Sequence, residues 1–164
     1  MAWRRLQLLW SALAVGSIAA MPAQAVPRVE GISAYLLSSK SGTLSPDVLR
    51  TPELLGNAVL YGKSLLVVIK ISKAGSGSVL PSQRVRLVAT EGTPAFAAAN
   101  IGRPKTRLLL DRSVRMGVIG ADATTHVGFW LDDIGCAPVA LDISLIGGAR
   151  TRSRHEVVGF QCYE

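Results

Sequence analysis

The sequence predicts an all-β fold, a single antiparallel β-sandwich of about seven strands. Three observations predict it. Short runs rich in valine, isoleucine and leucine recur from residue 32 onward, and several alternate with polar residues at period 2. Clusters of glycine, proline and serine separate them, as turns separate strands. No stretch beyond the N-terminal segment carries the spacing of a long amphipathic helix.

Taken in order, Ile32–Leu37 reads as the first strand and Lys40-Ser41-Gly42-Thr43 turns it. Ser45-Pro46-Asp47 and Thr51-Pro52-Glu53 each place a hydroxyl, a proline and an acid in the order that starts a helix. The hydroxyl caps, the proline presets φ and the acid suits the helix dipole. Breakers follow closely, so short helical turns are expected only in the 45–55 connection. Leu65–Ile71 is the most apolar stretch beyond the N-terminal segment and reads as a central strand covered on both sides. Arg84–Ala89 alternates and gives the third strand, while residues 90–104 are irregular and alanine-rich. Arg107–Val118 holds a fourth strand, interrupted near Asp111, and Val127–Leu131 a fifth.

Val139, Leu141, Ile143 and Leu145 alternate with Ala140, Asp142 and Ser144, which is a strand with one apolar face. Gly147 and Gly148 end it, and a seventh strand runs from Ser153 to Cys162. The inward parity of that last strand stays open, because a bulge at Gly159 would let Val157 and Phe160 share a face. A turn centred near Ala149 sets Cys136 opposite Cys162, the chain's two cysteines. Directly opposed antiparallel residues lie about 4.5–5.5 Å apart at Cα, within disulfide reach. The alternative is a pair of buried free thiols. A Cys136–Cys162 disulfide is expected, and closing a loop of this size contributes roughly 3 kcal/mol.

That expectation leans on the N-terminus. Arg4 and Arg5 precede an apolar run from Leu6 to Met21, and Pro22-Ala23-Gln24-Ala25 supplies small residues in an Ala-x-Ala cleavage pattern. Residues 1–25 therefore read as a bacterial-style secretory signal cleaved after Ala25, and residues 26–164 as one domain. The expected compartment is periplasmic or extracellular, where disulfides persist. No second apolar span follows, so no transmembrane segment is expected after cleavage.

The 164-residue chain carries +7, and +7 less the charges of Arg4 and Arg5 leaves +5. A basic balance favours anionic partners without naming one. The segment from Trp130 to Leu145 resembles an immunoglobulin-like or fibronectin-like sandwich, in which a strand ends in an Asp-x-Gly corner before the penultimate strand. Here the corner is Asp133-Ile134-Gly135-Cys136. Two departures stand out. The corner tyrosine is missing, with Ala137 two residues after Gly135. The cysteines would also join neighbouring strands of one sheet, not two sheets. The resemblance implies a fold and transfers no function.

Sites for chemistry are sparse. Gly56 to Ser64 imitates a phosphate-binding loop, but five residues separate Gly56 from Gly62 where the motif needs four, and the segment opens a strand instead of a helix. No nucleotide is expected. His126 and His155 lack ligands at metal spacing, and Glu156 beside His155 points to the opposite strand face. No metal or other cofactor is expected. No nucleophile elbow occurs, and adjacent Asp132 and Asp133 diverge if extended; at a corner they would satisfy turn amides. Trp130 shares a face with Gly128, away from Val127, Phe129 and Leu131, and belongs either to a second buried layer or to a surface contact.

Arginines cluster better. Arg150, Arg152 and Arg154 alternate with Thr151 and Ser153, so a strand would present all three on one side. Arg84 with Arg86, and Arg103, Lys105 and Arg107, alternate likewise. Guanidinium groups make paired contacts to phosphate and carboxylate; equally, charge guards sheet edges. The expectation is a non-catalytic binding or structural module of the cell envelope. It would contact an anionic envelope component or another protein through the 150–154 turn. The alternative is a hydrolytic enzyme whose site assembles only in three dimensions.

Overall fold

The run Leu65–Ile71, apolar except for Lys70, forms a strand in which alternate residues are fully buried. Leu65, Val67, Ile69 and Ile71 expose nothing, while Leu66, Val68 and Lys70 are half-buried. The strand is central in its sheet but covered on one face only, where the sequence suggests cover on both. This computed structural model describes residues 27–51, 63–72, 83–92, 106–116, 124–135, 137–147 and 152–159. The signal segment 1–25, the phosphate-loop imitation at 56–62, Arg150, Cys136 and Cys162 lie outside them.

Seven strands follow one another: β1 (Arg28–Leu36), β2 (Leu65–Ser72), β3 (Arg84–Glu91), β4 (Arg107–Arg115), β5 (Thr124–Leu131), β6 (Val139–Ile146) and β7 (Arg152–Val158). They form two antiparallel sheets, a three-stranded one ordered β1-β2-β5 and a four-stranded one ordered β4-β3-β6-β7. The all-β, two-sheet architecture expected from the alternation is the one that forms. β1 runs against β7 at one side of the sandwich, and β5 against β3 and β4 at the other. Between the sheets lie the inward residues of β1, β2, β3, β5 and β6 with Val158 of β7, among them Leu36, Ile69, Leu87, Leu131, Leu141 and Ile143, all nearly or wholly buried, and Leu110 and Val114 of β4 pack against them in part. Each such side chain contributes about 1.5–3 kcal/mol over its exposed state.

The outer edge of β1 is covered by the segment that follows it. Ala34 and Leu36 donate their N–H groups to Asp47 Oδ1 and Ser45 Oγ, both at 2.9 Å. Their carbonyls accept from Val48 N and Ser45 N, also at 2.9 Å. The expected helix start is therefore used differently. Asp47, not Ser45, caps one isolated turn, accepting from Leu49 N at 3.2 Å while its carbonyl receives Arg50 N and Thr51 N. No helix forms among the described residues.

β4 breaks the alternation. None of its residues is buried. The irregularity expected near Asp111 sits instead at Leu109, because Ala89 pairs with Leu110 and Thr90 with Leu108. Leu110, Arg112 and Val114 stand opposite Ala89, Leu87 and Val85, hence on the inner face. Leu110 and Val114 are only half-covered, and Arg112 is exposed.

β7 corrects the hairpin register. Val139 pairs with Val158 and Leu145 with Arg152, one residue out from the register on which the cysteine pairing rests. Val158 faces inward at 1% exposure and Val157 outward at 43%, so the inward partner is the second valine and no bulge turns Val157 in. Gly147, at φ 94°, ends β6 in a conformation that other residues adopt only with strain.

Candidate functional site

The strand pairing decides where the arginines go. Arg152 and Arg154 share one face of β7, as their alternation requires, and that face also carries Leu145 and Ile143 across the ladder. It is the inner side of the sandwich at its rim. Arg154 reaches across the rim: Nη1 donates to the Glu30 carbonyl of β1 at 3.3 Å, and Nε and Nη2 donate to Glu156 Oε1 at 3.0 and 2.9 Å. Arg152 is exposed and has no polar partner among the described residues. The structure thus brings two of the three expected arginines together; Arg150 lies outside the described residues.

A second polar cluster stands at the opposite side. β3 continues its inward alternation from Val85, Leu87 and Ala89 to Glu91, whose carboxylate is consequently buried. Glu91 Oε1 accepts the Gly135 N–H, and Oε2 accepts Arg107 Nε at 2.8 Å. Arg107 also donates from Nη1 to Asp133 Oδ2 at 2.9 Å and from Nη2 to the Asp133 carbonyl. The carboxylate lies where a Cβ on residue 135 would sit, which accounts for glycine there. Asp133 adopts φ 55°, uncommon for a residue with a side chain. The Asp133 and Glu91 carboxylates hold the Arg107 guanidinium above its ordinary range. Arg107, and then Lys63 at 4.0 Å, hold the Asp133 carboxyl below its own. Every charge in the cluster meets an opposite one, so its chemistry is that of a fixed corner joining β3, β4 and the end of β5.

The two acids at this corner behave differently from the turn-amide role that their sequence suggests. Asp132 accepts from the Ser64 hydroxyl at 2.9 Å, Asp133 serves Arg107, and the corner amide of Gly135 is taken by Glu91.

The outer faces of the two sheets differ in kind. On the three-stranded sheet Tyr35, Leu66 and Trp130 fall in one row, with Ser33, Val68 and Gly128 in the next. Trp130 is 49% exposed, so it is a surface residue and no second layer buries it. The four-stranded sheet is laced with charge. Arg86 holds Asp111 through two donors at 2.7 and 2.6 Å, which raises the arginine and lowers the aspartate from their ordinary values. His155 Nδ1 lies 2.8 Å from Asp142 Oδ1 on the neighbouring strand. His126 is exposed opposite Lys70. Among the described residues no three histidine, cysteine or acidic side chains gather as a metal site would require, and no helix is long and apolar enough to cross a membrane.

Sequence reasoning missed Glu91 and Arg107 as partners. The signal was present, since an acid closes an otherwise apolar inward series in β3. Asp142 beside His155 was hidden, because only the register brings them together. Compared with known proteins, the chain matches no protein-family model and no curated protein.

Proposed function

We propose that the chain is an exported, non-catalytic binding module of the cell envelope that meets anionic partners along the rim of β7. Its fold on this reading is immunoglobulin-like, of the fibronectin-like kind. Seven strands in facing sheets of three and four support that assignment. One feature separates it from the constant-type arrangement, where the fourth strand lies beside the fifth; here β4 lies beside β3. The reading of export rests on the signal pattern of residues 1–25.

The observation that carries the binding role is the pair Arg152 and Arg154 on one side of an outermost strand, in a chain of net charge +7. Arg154 is already anchored by Glu156 and Glu30, which sets its guanidinium in place. Arg152, two residues along and exposed, is left to meet an anion beside it. The test replaces Arg150, Arg152 and Arg154 with glutamine and compares elution from heparin and from anionic lipid vesicles with that of a Lys40, Lys73 and Lys105 to glutamine variant. Lys63 is left intact because it faces Asp133. The arginine variant is expected to release at clearly lower salt than the lysine variant, with Tm nearly unchanged. Equal elution of the two would reduce the rim to part of a diffuse positive field and end the proposal.

A further inference from the structure

The four outer edges of the two sheets are not equally protected. β1 is covered by Ser45–Val48. β7 carries Arg152, Arg154, His155 and Glu156. β4 carries Arg107, Asp111, Arg112 and Arg115 and is broken by its bulge. Charge, cover and bulges are how sheets stop other strands from adding to them. From Thr125 to Leu131 β5 shows none of these among the described residues. It contains no acid, lysine or arginine, and its pairing with β2 runs unbroken from Leu65↔Leu131 to Ser72↔Thr124. Among the described residues no strand lies on its other side.

The same place is short of a strand from the opposite sheet's point of view. Three strands face four, and the uncovered one is β4, whose inner residues Leu110 and Val114 remain half-exposed while those of β3 and β6 are buried. Between Leu110 and Val114 on that inner face stands Arg112. Arg86, Arg107 and Arg154 each hold a carboxylate, but Arg112 has no partner among the described residues.

We propose that β5 is a docking edge for an extended segment of a partner polypeptide, which adds as a fourth strand beside β5 and over β4. Backbone groups of β5 would supply the ladder, and alternate side chains of the incoming segment would face β4. Those side chains must be apolar over Leu110 and Val114 and acidic over Arg112. The acid is what selects a foreign segment over a second copy of this chain. A copy without residues 1–25 brings another +5 and offers a β5 without a carboxylate. This edge lies across the sandwich from the arginine rim, so the two proposals stand or fall separately.

The probe is an acetylated, amidated peptide alternating threonine with valine, glutamate and valine (Ac-TVTETVT-NH2). Its palindromic order makes strand direction immaterial. Titrated into the intact protein and followed by calorimetry and backbone NMR, it is expected to bind saturably and to shift residues 125–131 and 110–114. Lysine in place of the glutamate should weaken binding roughly tenfold or more, and Arg112→Glu should reverse that preference. N-methylation of every residue leaves no amide to face β5 in either direction, and that peptide should lose binding. No saturable binding, binding indifferent to the Glu-to-Lys change, or an N-methylated peptide that binds like the parent would each overturn the proposal. So would slow hydrogen exchange, without peptide, at the β5 amides that point away from β2. In a dimer such protection would assign the place to a second copy, and in a monomer to the chain's own residues 93–105.

Discussion

The two long sides of the sandwich solve the same problem differently. Where β1 meets β7, every backbone group of Ala34 and Leu36 on the outer edge has a partner from Ser45, Asp47 or Val48, and Arg154 bridges the sheets. Where β5 meets β4, the Glu91–Arg107–Asp133 cluster ties only one end. Above it no described strand pairs with the outer edge of β5, and the inner face of β4 is half-covered. Closing a side thus needs a segment that satisfies main-chain groups along its length. A salt-bridge cluster, however well connected, fixes a corner and leaves the strand beyond it open.

Truncation of one leucine from each strand of the β3–β4 pair tests this difference most strongly. Leu87, fully buried in β3, is expected to cost about 3–4 kcal/mol as Leu87→Ala. Leu110, half-covered in β4, should cost about half as much. Urea unfolding measures both, and equal losses would mean that the β4 side is as well covered as the β3 side.

The polar closures come next. Glu91→Ala removes the acceptor of Gly135 N–H and one of the two carboxylates that Arg107 holds, an expected loss of about 1.5–3 kcal/mol for bonds to a charged group. Ser45→Ala removes the acceptor of a single buried amide, Leu36 N, and should cost about 1–2 kcal/mol. Thermal melts of the two variants rank the closures directly. Should Ser45→Ala be silent, the cover on β1 would be incidental to stability.

The smallest expected effect is one of pH and belongs to the open side. Arg107 and Lys63 hold the Asp133 carboxyl low, and Arg86 does the same for Asp111. A carboxyl lowered in the folded state adds stability that is complete above the ordinary aspartate value. That stability is lost as pH falls through the folded value. Both residues are exposed, so solvent screens the gain. Stability should decline in acid below the ordinary aspartate range, and Asp133→Asn together with Asp111→Asn should flatten the decline. An unchanged acid limb in urea titrations from neutral to strongly acidic pH would show that these pairs add nothing.

Much of the fold was legible because burial on one face writes itself as alternation. Val139, Leu141, Ile143 and Leu145 are all inward, as their spacing says. β4 was harder to read for the same reason in reverse: a half-covered inner face tolerates Arg112 between Leu110 and Val114, and the pattern blurs. At β7 two adjacent valines followed by Gly159 left the parity undecided, and the register moved by one. The arginine alternation was legible, but not that Arg154 would find Glu30 on a strand far away in sequence. Contacts of that kind, like Asp47 with Ala34 or Glu91 with Gly135, are set by which strands become neighbours, and local spacing holds no record of it.

The strand order also sets the effort of assembly. β6 and β7 pair residues only a few positions apart, with Leu145 opposite Arg152. β2 and β5 join residues such as Ser64 and Asp132, 68 positions apart. Loop-closure entropy grows with the length enclosed, and pairings distant along the chain are slow to form. Among the described strand pairings the β2–β5 ladder encloses the longest stretch of chain, so β5 is expected to be late in finding its place.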